Sequence, residues 1–210
     1  MKKYQLMAPG PTPVPSQVLL AMAQPMIHHR TPEYEALFIE VRAGLKALFQ
    51  TAQDVVPLTC SGTGAMEAAV VKVAPGRLAE ALRTTPRIKA VLTQHSESST
   101  GVLHDVRAYA EVARRTDAIL IVDAVSSLGI ADLAMDRWGI DVVIAGSQKG
   151  LMLPPGLAFC TLSEKAWAAA RTSRLPRYYL DLTEERKFLL KNEARFTPAV
   201  SIVVGLREVL

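Results

Sequence analysis

Cysteine is scarce in this chain, with Cys60 and Cys160 the only two among 210 residues. Both stand beside apolar runs without CxxC spacing or an accompanying histidine. That excludes a disulfide framework and a cysteine-rich metal site, and buried structural thiols are expected instead. Long apolar runs are also missing. Half of the residues are hydrophobic, yet no stretch approaches the ~20 residues of a membrane span. Met1-Lys2-Lys3 leads into a proline-rich segment and not into an apolar signal core. The expectation is therefore no membrane association and residence in the cytoplasm. Excess charge is small: 24 basic and 20 acidic residues leave a net +4, scattered along the chain. Without a basic stripe and interleaved aromatics, nucleic acid is not an expected partner, although the mild positive balance favours small anions. His28 and His29 are adjacent, so their side chains point apart. No thiol or carboxylate cluster accompanies them, and no metal is expected. Repeats and low-complexity tracts are absent, and 210 residues suit one domain able to bury a core.

What is present begins with an extended, proline-rich arm, residues 1–16, followed by a single domain over 17–210. Helical patterns cover Gln17 to Ala23 and Tyr34 to Phe49, where Leu37, Val41, Leu45 and Leu48 recur at three- and four-residue spacing. Thr31-Pro32-Glu33 reads as a helix start with proline in first position. Strands and helices then alternate: Val55 to Thr59, a helix over Ala65 to Val71, Lys89 to Thr93, a helix around Arg107 to Ala113, Ala118 to Val122, and Asp141 to Ala145. Such alternation predicts an α/β fold with a mainly parallel sheet flanked by helices. Leu157 to Leu162 reads as an antiparallel or edge strand, and Glu164 to Arg171 as a helix.

Two of these strands end in reactive groups. Ala118-Ile119-Leu120-Ile121-Val122 runs into Asp123, and Asp141-Val142-Val143-Ile144 runs through Ala145-Gly146-Ser147-Gln148 into Lys149. Ligands of open parallel sheets bind beyond the carboxyl ends of the strands, which sets an acid and an amine at one crevice. Such a pair is the polar equipment of a pyridoxal phosphate site, where a lysine forms a Schiff base and an aspartate keeps the pyridine nitrogen protonated. A phosphate cradle would be the third part. Ser61-Gly62-Thr63-Gly64-Ala65 follows the first strand and precedes a helix, whose free N–H groups and positive dipole end favour an anion. It matches neither GxxxxGK[ST] nor GxGxxG. Blander readings stand beside each of these. Asp123 alone suits the capping of a turn, Lys149 alone a surface loop, and the glycines a tight turn. His95 suits packing as well as a supporting contact near Ser98.

In the order cradle, acid, lysine, these residues resemble the class V aminotransferases of fold type I, specifically the alanine–glyoxylate and serine–pyruvate branch. The resemblance rests on Ala8-Pro9-Gly10-Pro11-Thr12-Pro13-Val14-Pro15, Ser61-Gly62-Thr63-Gly64 and His95-Ser96-Glu97-Ser98-Ser99-Thr100-Gly101-Val102. It continues through Asp123-Ala124-Val125-Ser126-Ser127-Leu128-Gly129, Gly146-Ser147-Gln148-Lys149, Pro154-Pro155-Gly156 and Thr197-Pro198-Ala199-Val200-Ser201. It implies a pyridoxal 5'-phosphate cofactor on Lys149, with Asp123 as pyridinium partner and Val125 beneath the ring. Ser98 would lie beside the ring hydroxyl and substrate. Thr63, Gly64, Ala65 and Gln148 would hold the phosphate, Thr197 would reach the phosphate of a second subunit in a homodimer, and Gly10 would line the substrate side. The implied reaction moves an amino group from alanine or serine to glyoxylate or pyruvate.

Two departures from that pattern are expected to matter. Between Val73 and Arg87 the family carries a longer stretch with a strand and a ring-stacking aromatic residue, so a segment near 73–76 and one strand of the sheet are expected to be missing. Leu206-Arg207-Glu208-Val209-Leu210 reads as the middle of a helix leading to a small carboxyl-terminal domain, which normally supplies the arginine for the substrate carboxylate. These departures keep a non-catalytic cofactor-binding module in view. A desulfurase or lyase fits less well, since desulfurases place histidine where Gln148 stands and need a mobile cysteine.

Overall fold

The computed structural model describes residues 10–59, 75–85, 88–98 and 100–210. The helix expected over Ala65 to Val71, and Cys60, lie outside them. Two helices open the described chain, α1 (Ser16–Met22) and α2 (Pro32–Phe49). Thr31 caps α2 by accepting the Tyr34 N–H, Pro32 takes the first position and two glutamates face the positive dipole end. Its buried stripe is Tyr34, Leu37, Phe38, Val41, Leu45 and Phe49, the predicted spacing with aromatic residues filling the remaining turns. Leu48, expected in that stripe, is only half-buried at its edge.

The rest of the chain builds one five-stranded sheet and a short hairpin. The strands are β1 (Val55–Leu58), β2 (Ala90–Gln94), β5 (Ile119–Asp123), β6 (Val142–Gly146) and β7 (Ala158–Leu162), with β3 (Ser96–Glu97) and β4 (Val102–Leu103) forming the hairpin. Helices α3 (Pro75–Thr84), α4 (Val106–Ala113), α5 (Met135–Trp138), α6 (Glu164–Thr172), α7 (Leu182–Leu189) and α8 (Val200–Arg207) complete the described elements. The strand order is β1-β7-β6-β5-β2. β2, β5 and β6 are mutually parallel, and β7 is antiparallel to both of its neighbours. It follows that β1 points the same way as the parallel set. The antiparallel alternative for Leu157 to Leu162 is thus the observed one, while the edge alternative is not: β7 lies inside the sheet and all five of its residues are buried. α8 includes Leu206 and Arg207, two of the residues expected in a helix there.

Register puts functional ends together. Asp123 pairs with Gln94 on one side and with Ile144 on the other, so β2, β5 and β6 finish within a few residues of one line. Asp141, just before β6, fixes that alignment from below, since its carboxylate accepts the Leu120 N–H at 2.9 Å and the Ser163 hydroxyl at 2.8 Å. No helix among the described residues is long and apolar enough to cross a membrane.

Candidate functional site

Asp123 is the last residue of β5 and is only partly buried, at the rim where the hydrophobic run stops. Its main chain is held from both sides: the His95 N–H donates to its carbonyl at 2.7 Å, and the next N–H, of Ala124, donates to Ile144 O at 2.8 Å. Its Oδ1 accepts the Val125 N–H at 2.9 Å, which is the turn-capping contact the bland reading expects. The same bond fixes how the carboxylate is presented beyond the sheet.

Lys149 is carried by the loop that leaves β6. Ser147, fully buried, organises that loop: its hydroxyl donates to Pro154 O at 2.7 Å and accepts the Leu157 N–H at 3.2 Å. Its main chain bonds Leu157 O at 3.0 Å and accepts from Leu153 N–H at 3.1 Å. Gly150 lets the loop close on the turn after β5, since a Cβ there would meet Leu128 O at 2.3 Å. Gly146 does the same for the side chains around it, its hypothetical Cβ lying 3.5 Å from Val125 Cγ1 and 3.3 Å from Gln148 Oε1. Val125 and Gln148 are therefore neighbours across the ends of β5 and β6.

The proline-rich arm crosses this loop. Thr12 N–H donates to Gln148 O at 3.2 Å and Thr12 Oγ1 donates to Lys149 O at 3.0 Å. Gly10, with φ of +139°, lies so close to the lysine stem that a Cβ would sit 2.3 Å from Lys149 Cδ. The β3–β4 hairpin reaches the turn after β5, where exposed Ser98 shares a hydrogen bond of 2.6 Å with Ser126. Gln94 donates to Glu97 beneath it. His95 at its base is buried and lies edge-on to Trp138, and its Nδ1 has no partner among the described residues. Burial and nearby His104 lower its pKa, with Asp132 opposing.

Gly10, Ser98, Asp123, Val125, Gln148 and Lys149 thus belong to one set of contacting segments at the carboxyl ends of β5 and β6. Thr63, Gly64 and Ala65 lie outside the described residues. Thr197 is exposed, and its neighbours Phe196 and Pro198 flank a small cavity at the end of β1 with Leu58, Thr59 and Glu185. The expectation that His28 and His29 point apart is not met: their rings stack on each other at 4.7 Å in a surface turn. Sequence reasoning missed Thr12, Ser126 and Ser147. Each is a hydroxyl residue within the quoted motifs, and its partners become evident only once distant segments are brought together. A separate cavity of about 600 Å³ lies against the mid-sheet face formed by Ile121, Val142, Ile144, Cys160 and Leu162.

Comparison with known proteins gives consistent matches. The family "Aminotransferase class-V" matches residues 72–210. The chain is 41% identical to the "Soluble hydrogenase 42 kDa subunit" of Anabaena cylindrica, an alignment covering 99% of this chain and 66% of that protein. It is 34% identical to the L-aspartate–glyoxylate aminotransferase of Paracoccus denitrificans, over 94% of this chain and 62% of the other. The solved structure of alanine–glyoxylate aminotransferase from Nostoc sp. superposes with a TM-score of 0.91 at 26% identity, covering 100% of this chain and 67% of that one. The chain therefore spans slightly under two thirds of the length of these curated relatives. The Anabaena alignment runs over 252 positions, 42 more than the 210 residues of this chain, so at least that many relative residues have no counterpart inside the aligned span.

Proposed function

The chain belongs to the class-V aminotransferase family, and from that premise we propose that it is the cofactor-binding large domain of an enzyme moving an amino group from a small amino acid, alanine or serine, to a 2-oxo acid, glyoxylate or pyruvate. Enzymes of this family depend on pyridoxal phosphate, which when bound withdraws electrons from the substrate α-carbon. The observation that carries the reading is the shared edge of β5 and β6, from which Asp123 and Lys149 emerge with Gly10, Val125 and Gln148 in contact around them. This donor set fits the cofactor: a primary amine, a carboxylate held in place by the Val125 N–H, and amide and hydroxyl donors from Gln148 and Ser98.

Each residue then has a role. Lys149 would hold the cofactor through its amine, and that amine would serve as the acid–base group for the substrate α-proton. Asp123 keeps the pyridine nitrogen protonated through a charge-assisted hydrogen bond. Val125 supports one ring face, Ser98 orients the ring hydroxyl side, and Gln148 joins Thr63, Gly64 and Ala65 around the phosphate. Thr197, exposed in its own protomer, serves the phosphate of a second copy in a two-fold dimer. Cytoplasmic residence belongs to the same proposal.

A second reading, a cofactor-binding module without turnover, is favoured by the 42 or more internal positions that relatives have and this chain lacks. The segment near 73–76 is our proposed place for that gap. Borohydride reduction of the pyridoxal-phosphate-loaded chain followed by peptide mapping tests the site. Label at Lys149 is expected, and label confined to other lysines refutes the assignment. Pyruvate formation from L-alanine and glyoxylate then separates the enzyme from the module. Asp123→Asn is expected to lower turnover far more than cofactor capture.

A further inference from the structure

Thr12 directs both of its hydrogen bonds at the lysine loop, the N–H to Gln148 O at 3.2 Å and the hydroxyl to Lys149 O at 3.0 Å. Arm and loop are 137 positions apart in the chain, so only the tertiary fold makes this contact. Two residues earlier, Gly10 backbone packs on the lysine stem, where a Cβ would lie 2.3 Å from Cδ and 3.0 Å from Cε. Lys149 is thereby held at two points, its carbonyl by Thr12 and its methylenes by Gly10. A four-carbon stem left to itself carries its ammonium through a wide volume. Held at base and middle, the stem leaves only its end to move.

We propose that Thr12 is a positioning residue for Lys149: residues 10–12 act as a strap that fixes the loop and limits the swing of the amine. The purpose of this confinement rests on the reading of Lys149 as the cofactor-bearing amine. The confinement itself is a property of the protein alone and can be measured without cofactor.

The test is trace acetylation of the cofactor-free chain by acetic anhydride, with the rate at each lysine read by peptide mass spectrometry. Thr12→Val keeps the shape and removes the hydroxyl donor, and Thr12→Ser restores it. Losing one hydrogen bond to the loop is expected to raise the rate at Lys149 about fivefold relative to Lys187 and Lys191, with Thr12→Ser close to the parent. In the loaded chain with substrates, Thr12→Val should lower kcat more than it changes KM. An unchanged rate at Lys149, or an increase shared by all lysines, overturns the strap. Selective acceleration at Lys149 together with borohydride label elsewhere upholds the strap and removes the proposed function.

Discussion

Ser147→Ala tests whether the lysine loop is built as described. The residue is fully buried, and the substitution removes one oxygen that serves two main-chain groups, Pro154 O and Leu157 N–H. The two losses are unequal. Pro154 is only partly buried, so its carbonyl can turn to water and adds little. Leu157 is 1% exposed, and its N–H is left without an acceptor, a loss of about 1–3 kcal/mol for a buried donor. A central value of about 2 kcal/mol lowers the melting temperature by roughly 4–8 °C in a chain of this length. Equilibrium urea unfolding followed by tryptophan fluorescence gives the number, with buried Trp167 as a reporter and an unchanged slope showing that the transition is comparable. The amide of Leu157 should also lose hydrogen-exchange protection before the remainder of β7. A loss below about 0.5 kcal/mol, within the range of ordinary surface substitutions, would falsify the view that this hydroxyl holds the loop.

Other substitutions probe separate parts of the molecule. Among the described residues the buried Tyr34 hydroxyl has no partner, and burial pushes its pKa up to about 12, so Tyr34→Phe should stabilise the chain by about 1 kcal/mol while keeping the stack on Phe38; a lower melting temperature contradicts this. His95 sits below its usual pKa through burial, helped by His104 and opposed by Asp132. The unfolded chain therefore takes up that proton first, and stability present above the unfolded value near 6.5 is lost as pH falls through the folded value. His95→Gln should flatten the decline of the unfolding midpoint between pH 7 and 5, and an identical decline in both proteins argues against the assignment. Gly150→Ala places a carbon 2.3 Å from Leu128 O and should cost roughly 1–3 kcal/mol. Gly139→Asn, at a left-handed position opening on empty space, should stay within about 0.5 kcal/mol; equal losses at the two glycines would show that steric contact is not what distinguishes them.

Much of this architecture is legible in the chain because hydrophobic pattern and turn chemistry agree. β5 and β6 are apolar runs ended by Asp123 and by Gly146, and α2 carries cap, proline and stripe in register. The interior position of β7 is not legible. An apolar five-residue strand reads alike whether its neighbours are parallel or antiparallel, and only pairing with both β1 and β6 fixes its place. α7 is not legible as a core helix because it holds few apolar residues, Leu182, Phe188 and Leu189, although Asp181 is available as a signal: it accepts the Thr183 and Glu184 N–H groups, with Glu184 and Glu185 in the first turn. α8 is legible only over Leu206 and Arg207, because the preceding Val200 to Gly205 run is as compatible with a strand.

The site was legible as types and order of residues, and illegible as contacts. Nothing in the spacing of Thr12 and Lys149 says that they touch. For Asp123 the two readings offered by the sequence turn out not to compete. A carboxylate presents about four acceptor positions on two oxygens, and the Val125 N–H takes one of them, on Oδ1. Because an asparagine at 123 can still accept that N–H, it keeps the turn and removes only the charge, whereas alanine removes both. The asparagine variant therefore isolates chemistry from folding. Normal stability with lost turnover assigns the charge to the cofactor, and retained turnover leaves Asp123 as the cap of a turn.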